Sequence, residues 1–136
     1  MTQGSPGALG PVNGNYEMNC LWFTGEPAGV LQSQDFENLS GVGVQLFVNI
    51  TGVREGGAVK VRLIGKDPVS GTYFTILEGH LVNDVRFERM TVFPGAIYEE
   101  GHAISDILPR TWAVQAEITG DDTAVSGTVG ASIRGV

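Results

Sequence analysis

Residues 42–50 read Val-Gly-Val-Gln-Leu-Phe-Val-Asn-Ile, and an aliphatic residue occupies every second position of this stretch. Val42, Val44, Leu46, Val48 and Ile50 share one phase, and glycine, glutamine, phenylalanine and asparagine lie between them. Successive side chains of a β-strand point to opposite faces, so a period of two over nine residues places the aliphatic set on one face. The stretch therefore predicts a half-buried strand.

The same kind of segment recurs along the chain. Further strands are predicted at residues 20–23, 59–64, 72–77, 85–93, 111–118 and 125–133. Glycine- and proline-rich segments separate them and predict turns or loops at residues 24–29, 51–57, 66–71, 94–95 and 120–122. The strands at 59–64 and 72–77 are predicted to form a hairpin. Residues 30–40 are ambiguous, and residues 97–108 are the one segment in which a short helical turn is allowed.

Seven or eight strands without a convincing amphipathic helix predict an all-β fold. We expect a single β-sandwich domain over residues 16–136, of jelly-roll-like type, although strand spacing does not separate it from an immunoglobulin-like sandwich. Residues 1–15 contain four glycines and two prolines and show no periodicity. They predict an N-terminal arm that is flexible, or extended and ordered on a neighbouring subunit.

Charge and composition narrow the partners. Fifteen acidic residues against eight basic ones give a formal net charge of −7, which disfavours binding to nucleic acid or to an anionic membrane. No apolar run approaches the roughly 20 residues that span a bilayer, and the first residues lack the features of a signal peptide. The single cysteine, Cys20, excludes an intramolecular disulfide. We expect an intracellular soluble protein that does not bind nucleic acid or membranes.

Residues with chemical potential are few and scattered. His80 and His102 lie beside glycines and join no metal-binding motif, so both are predicted as surface or loop residues. Cys20 lies in an apolar run and is predicted to be buried and inert. The acidic pairs Glu99-Glu100 and Asp121-Asp122 are not expected to face each other across a cleft, because adjacent strand residues point apart. No catalytic, cofactor-binding or metal-binding residue is predicted, and we expect no enzyme.

The aromatic residues have two interpretations. Trp22, Trp112, Tyr73 and Tyr98, with the phenylalanines, would suit a sugar-binding platform if their rings faced solvent. On strands, however, aromatic side chains are more often core residues or pack beside a cross-strand partner. Trp112 shares the phase of Val114 and Ile118, so it is predicted to lie in the core.

Several segments resemble small proteins encoded by tailed phages and prophages. Residues 61–77 (Val-Arg-Leu-Ile-Gly-Lys-Asp-Pro-Val-Ser-Gly-Thr-Tyr-Phe-Thr-Ile-Leu) are similar to a hairpin of that group, and Val-Phe-Pro-Gly at 92–95 follows in the same order. Ser-Asp-Ile-Leu-Pro-Arg-Thr-Trp-Ala-Val at 105–114 and Val-Gly-Ala-Ser-Ile at 129–133 are also similar. The resemblance covers about residues 42–135, and Leu-Pro-Arg-Thr-Trp is its most distinctive piece.

The resemblance implies a virion structural protein of β-sandwich or jelly-roll type without catalytic residues. Some members of that group are capsid decoration or cement proteins. We therefore expect a decoration protein that is assembled in the host cytoplasm and binds the major capsid protein on the outer surface of the head. A homotrimer is favoured, because gaps between capsomers have local symmetry. The alternatives are a minor tail or baseplate component, and a carbohydrate-binding module for attachment to the host.

Overall fold

All seven predicted strands are present in the structure, a computed structural model that describes residues 16–39, 41–120 and 124–135. The N-terminal arm predicted at residues 1–15 lies outside the described residues. In chain order the strands are β1 (Tyr16–Glu26), β2 (Gly29–Gln32), β3 (Phe36–Glu37), β4 (Gly43–Val53), β5 (Ala58–Lys66), β6 (Tyr73–Val82), β7 (Arg86–Val92), β8 (Ala103–Ile104), β9 (Thr111–Thr119) and β10 (Val125–Arg134). The described residues contain no helix, so the predicted all-β class is confirmed.

The strands form two sheets that pack face to face as a β-sandwich. The first sheet has the order β1-β10-β4-β7-β8; in the second, β2-β9-β5-β6, the short β3 also pairs with β9. When β2 and β3 are taken as one interrupted strand and the two-residue β8 is set aside, eight strands remain. Their orders are first-eighth-third-sixth and second-seventh-fourth-fifth, which is the jelly-roll arrangement of two interlocked Greek keys.

The core lies between the two sheets and is built from the predicted alternating positions. Every second residue of β4, from Val44 to Ile50, is buried. On β9 the buried set includes Trp112, which is fully buried and packs against Phe36 of β3 with 4.9 Å between ring centroids. The prediction that Trp112 is a core residue is confirmed.

The predicted hairpin is confirmed, since β5 and β6 pair antiparallel across the turn at residues 67–72. Asp67 shapes this turn, because its carboxylate accepts hydrogen bonds from the backbone N–H of Val69 at 3.0 Å and from the hydroxyl of Ser70 at 2.8 Å. Simple alternation with Lys60 and Arg62 would place Ile64 on the outer face of β5, but this expectation is wrong. The register shifts between Leu63 and Ile64, and both side chains are buried.

Two predicted loops are shorter in the structure than in the prediction. The loop at 24–29 is reduced to residues 27–28, because β1 continues to Glu26 with a second register shift after Phe23 and β2 already begins at Gly29. The turn at 51–57 begins only after Val53. In both cases a glycine, Gly25 or Gly52, lies in a strand at a register shift rather than in the turn itself, which is a common use of glycine in sheets.

The helical turn allowed at residues 97–108 does not form. This segment instead contains β8, which pairs in parallel with the end of β7, and an antiparallel bridge between Glu99 and Ala103. The backbone N–H of Thr91 donates to the carbonyl of His102 at 2.7 Å. The edge of β7 requires such acceptors, and a helical turn would use the same carbonyls internally.

The two ends of the sandwich differ. One end carries short connections, at residues 27–28, 54–57 and 83–85. The other, which we call the loop end, carries residues 38–39, 41–42, 67–72, 93–96 and 105–110. The side-chain amide of Asn38 joins two of these connections by donating to the carbonyls of Gly41 at 2.9 Å and Leu108 at 3.1 Å.

No helix among the described residues is long and apolar enough to cross a membrane.

Candidate functional site

A β-bulge in β1 shapes the outer face of the first sheet. Asn19 is opposite Gly130 and Leu21 is opposite Val129, so Cys20 is an extra residue without a partner on β10. Cys20 and Leu21 both point into the core and are buried. The change of phase directs Asn19 and Trp22 to the same outer face, although they are three residues apart.

Outward residues of four neighbouring strands form a groove on this face with a volume of about 390 Å³. Trp22 of β1 lies on one side, and Phe47 of β4 and Phe87 of β7 lie on the other. The two phenylalanine rings are stacked, with centroids 6.3 Å apart and an interplanar angle of 20°. Among the described residues, the lining consists of the outward Asn19, Trp22, Phe47, Asn49, Phe87, Thr128 and Gly130, together with Leu21 and Val129, whose side chains are buried. We call this feature the aromatic groove.

The aromatic groove has a polar rim, and its lining among the described residues contains no acidic or basic side chain, although the chain as a whole has a net charge of −7. The exposed Arg89 of β7 is opposite Phe47 on the same face, one strand further from Trp22. Asn19, Asn49 and Thr128 are exposed, and none of these side chains makes a hydrogen bond to another described residue. Each of the two amides offers two donors and an acceptor to a ligand.

The outer face of the second sheet is different, because its charges neutralise one another. The Arg62 guanidinium donates to Glu78 at 2.6 Å, to Glu117 at 2.6 Å and to Gln115 at 3.3 Å. The hydrogen bond to Glu78 is the main cause of the raised pKa of Arg62. Lys60 also lies 3.5 Å from Glu78. This charged ladder couples β5, β6 and β9 and leaves few unpaired polar groups for a ligand.

The structure brings the two histidines together. His80 is exposed on β6, so the prediction of a surface or loop residue holds for it as a surface residue. His102 lies in the turn before β8, and the two rings meet edge to face with centroids 4.7 Å apart. His102 Nε2 is 2.8 Å from a carboxylate oxygen of Glu88, and its Nδ1 is 3.6 Å from one of Glu99. Gly101, in the turn at residues 100–102, makes the contact between the two histidines possible, since a Cβ at this position would collide with the His80 ring.

The His102–Glu88 contact changes the pKa of both residues. The hydrogen bond that His102 donates to the Glu88 carboxylate is the largest cause of the raised pKa of His102, and burial opposes it. The same hydrogen bond lowers the pKa of Glu88. Arg86 also approaches Glu88, with 3.2 Å between nitrogen and oxygen. The pair is therefore an ion pair at mildly acidic pH, and it fastens the segment before β8 to β7.

We expect the stabilising effect of this pair to depend on pH. The contribution of His102 is fully present below the usual histidine pKa of about 6.5 and is lost as the pH rises through the higher folded-state value. The contribution of Glu88 is present above the usual glutamate pKa of about 4.3 and is lost as the pH falls through its lowered value. For His102→Gln, urea unfolding should show a loss of roughly 0.5–1 kcal/mol at about pH 5.5 and less at about pH 8.5.

Glu88→Gln is the matched control for the histidine variant. It removes the carboxylate but keeps the size of the side chain, so it should abolish the same pH dependence. NMR titration of His102 in that variant should give a lower pKa than in the unaltered protein. A loss of stability in His102→Gln that is the same at both pH values would contradict the assignment.

The remaining candidate residues do not assemble into a catalytic arrangement in the described part of the chain. Cys20 is buried, as predicted, and this burial raises the pKa of its thiol to about 12, which disfavours the reactive thiolate. Among residues 16–39, 41–120 and 124–135, no group of three or more histidine, cysteine or acidic side chains is placed to hold a metal ion. Asp121-Asp122 lies outside the described residues.

Exposed large apolar side chains are concentrated at the loop end. Five of the eleven on the described surface lie there or on the adjoining first residues of β6: Leu39, Val69, Tyr73, Phe74 and Ile107. Val69 is the most exposed of all, at 93%. Tyr16, the residue that follows the N-terminal segment 1–15, also approaches this end, because its hydroxyl donates to the carbonyl of Glu37 at 3.4 Å.

The sequence left open whether most aromatic residues are exposed or buried, and it did not predict that Trp22, Phe47 and Phe87 lie together in a groove. A signal for Phe47 exists, since it occupies the outward phase of the alternation at residues 42–50. Phe87 lies between Arg86 and Glu88, which also suggests an exposed position. Trp22 carries no such signal, because the apolar run at 20–23 conceals the bulge that turns its ring outward.

Comparisons of the chain with protein-family models, with curated proteins and with solved structures found no match.

Proposed function

We propose that the chain is a non-enzymatic structural protein of a bacteriophage particle, and specifically a decoration protein that binds the major capsid protein on the outside of the head. The resemblance of residues 42–135 to small phage proteins indicates the class. The structural observation that carries the proposal is the loop end, where exposed apolar side chains lie close to the residue that joins the N-terminal segment.

The loop end has the properties of a docking surface. Five exposed large apolar side chains share this end, and apolar surface concentrated on one region marks protein contacts more often than single exposed side chains do. Side-chain hydrogen bonds hold the supporting loops in place: Asp35 accepts from the Tyr73 hydroxyl at 2.6 Å and from Lys66 at 3.0 Å, and Arg110 donates to Glu37 at 2.9 Å. A surface that is ordered before contact loses less conformational entropy on binding.

The charge of the chain suits the outside of a shell. A net charge of −7 would repel packaged DNA on the inner surface. Each copy needs only modest affinity, because many copies on one symmetric shell stabilise it together. A homotrimer at a local threefold axis would place three identical loop ends against the capsomers around that axis.

The test is the number of copies in purified particles, measured by quantitative mass spectrometry relative to the major capsid protein. A copy number comparable to that of the capsid protein is expected. A few copies per particle would instead support the alternative of a minor tail or baseplate component, and absence from particles would overturn the proposal.

Re-addition of the protein to particles that lack it tests the loop end itself. Val69→Glu and Ile107→Glu introduce charges on the proposed docking surface, and both should reduce binding at least about tenfold. Val85→Glu is the matched control, because Val85 is similarly exposed, at 65% against 62% for Ile107, and lies at the opposite end of the sandwich. All three substitutions should change stability by less than about 0.5 kcal/mol. Equal binding of all three variants would contradict the assignment of the surface.

A further inference from the structure

We infer that the aromatic groove is a binding site for a neutral carbohydrate. This inference goes beyond attachment to a shell, because it concerns a second surface, on the broad face of the first sheet. The chemistry of the groove and one glycine that the fold does not require both lead to it.

The rings provide the apolar part of such a site. Trp22 lies on β1 and Phe47 on β4, with β10 between them, so their backbones are two strand spacings, or about 10 Å, apart. The faces of aromatic rings carry partial negative charge and attract the polarised C–H groups on the face of a sugar ring. Phe87, which is 55% exposed, extends the same wall.

The polar rim favours a polar ligand over an apolar one. Asn19, Asn49 and Thr128 border the rings, and together they can donate to and accept from neighbouring hydroxyl groups. An apolar partner would cover these groups without satisfying them, which costs free energy for each unsatisfied group. A peptide strand within the groove is disfavoured as well, because β10 and β4 are paired on both sides. A strand added to the open edge of β1 would lie beside the groove and not over it.

The absence of charge from the lining defines the ligand further. A phosphate, a carboxylate or a sulfated glycan between Trp22 and Phe47 would find no cation among the described lining residues. The nearest exposed cation opposite Phe47, Arg89, lies one strand further from Trp22, on β7. Burying such an anion without a partner is unfavourable. A neutral hexose or N-acetylhexosamine unit, alone or within a longer glycan, meets no such penalty.

Gly130 forms part of the floor, and the fold itself does not require glycine there. A Cβ at this position would meet only the carbonyl oxygen of Met18, at an ordinary 3.7 Å, and Gly130 is not among the glycines with positive φ. Glycine is unfavourable within a strand compared with β-branched residues. Its effect here is to leave the space between Asn19 and Phe47 open.

The experiment is binding of the full chain to neutral saccharides. The probes are glucose, galactose, mannose and N-acetylglucosamine, their β-linked and α-linked trisaccharides, and an array of bacterial surface polysaccharides that includes anionic members. We expect at least one neutral probe to bind and to change the fluorescence of Trp22. Trp22→Ala and Gly130→Val should each weaken that binding about tenfold or more.

Gly52→Val is the matched control for Gly130→Val. Gly52 is also in the first sheet, its Cβ would make an ordinary contact of 3.7 Å with Ser126, and it lies outside the groove lining. The Gly52→Val variant should bind the saccharide as the unaltered chain does. Phe87→Ala gives a groove variant at an exposed position where misfolding is not expected, and it should also weaken binding.

The results separate the possible occupants. Binding only to anionic polysaccharides, or no binding at millimolar probe concentrations, would overturn the inference. So would binding that Trp22→Ala, Phe87→Ala and Gly130→Val leave unchanged. Self-association that Gly130→Val abolishes, without saccharide binding, would assign the groove to a second copy of the chain and would also overturn it. Copy number in particles is independent of all these outcomes, so the two proposals can fail separately.

Discussion

Replacing Trp112 with alanine should lower the free energy of unfolding by about 3–5 kcal/mol, the range expected when a large buried aromatic side chain is removed. Trp112 is completely buried and packs against Phe36. It is also opposite Gly65 on β5, where Phe74 and Pro109 approach so closely that a Cβ would collide with both. The surroundings are therefore already tightly packed, and they are poorly able to collapse into the space left by the indole.

Urea unfolding followed by far-ultraviolet circular dichroism measures this effect. Trp22→Ala is the matched control, because the same side chain is removed from a half-buried position on the outer face, and it should cost about 2 kcal/mol or less. Trp112→Phe should cost less than Trp112→Ala, since it keeps a ring and removes an indole N–H that has no hydrogen-bond partner among the described residues. Equal losses for Trp112→Ala and Trp22→Ala would contradict the packing described here.

The periodicity of the sequence predicts the strands that dominate the core. In β4, β9 and β10, the alternation is uninterrupted in the sequence, and the predicted inward residues, such as Leu46, Val114 and Val129, are all buried. The reason is physical: these strands lie inside their sheets, so one face of each packs against the opposite sheet along its whole length. Local pattern and tertiary environment then agree.

Short strands and strands at a sheet edge cannot be predicted from periodicity in the same way. β2, β3 and β8 have two to four residues each, which is too short to show a period. β8 exists because β7 has an open edge there, and that edge is determined by the order of strands far apart in the chain. Strand order itself follows from long-range pairing, such as that of β1 with β10, which carries no local signal.

The sequence shows which types of residue are available for the candidate site, but not that these residues lie next to one another. Trp22, Phe47, Phe87 and Gly130 come from four different strands, and their proximity follows from strand order and from the bulge at Cys20. A bulge adds one residue to a strand and reverses the phase of every side chain after it. The run at residues 20–23 is apolar throughout, so no alternation reveals where the phase changes.

The contact between His80 and His102 could not be predicted from the sequence for a different reason. The two residues are 22 positions apart, and their contact depends on how residues 94–102 fold back along β6. Glu88 and Glu99 approach His102 from two separate segments. Interactions of this kind depend on one turn conformation, here with Gly101 at φ +77°, and glycine alone does not specify which turn forms.

A comparison of two glycines gives a second large expected effect. Gly120→Ala should destabilise the protein by about 3 kcal/mol or more, because two unfavourable terms add. The φ angle of Gly120 is +114°, a region that residues with a side chain rarely adopt. A Cβ there would also collide with the carbonyl oxygen of Gly56, and this oxygen belongs to the backbone of the β4–β5 connection, so it cannot move away as a flexible side chain would.

Gly56→Ala measures the backbone strain at positive φ without the steric collision. Gly56 has a φ angle of +86°, but a Cβ at this position would meet no atom within 4 Å. Its substitution should therefore cost only the backbone strain of about 1–2 kcal/mol. Urea unfolding of both variants gives the difference, which measures the contact between the β4–β5 connection and the end of β9. If Gly120→Ala cost no more than Gly56→Ala, the two connections would not be in contact at this end of the sandwich, and the close approach of Gly120 to Gly56 would be wrong.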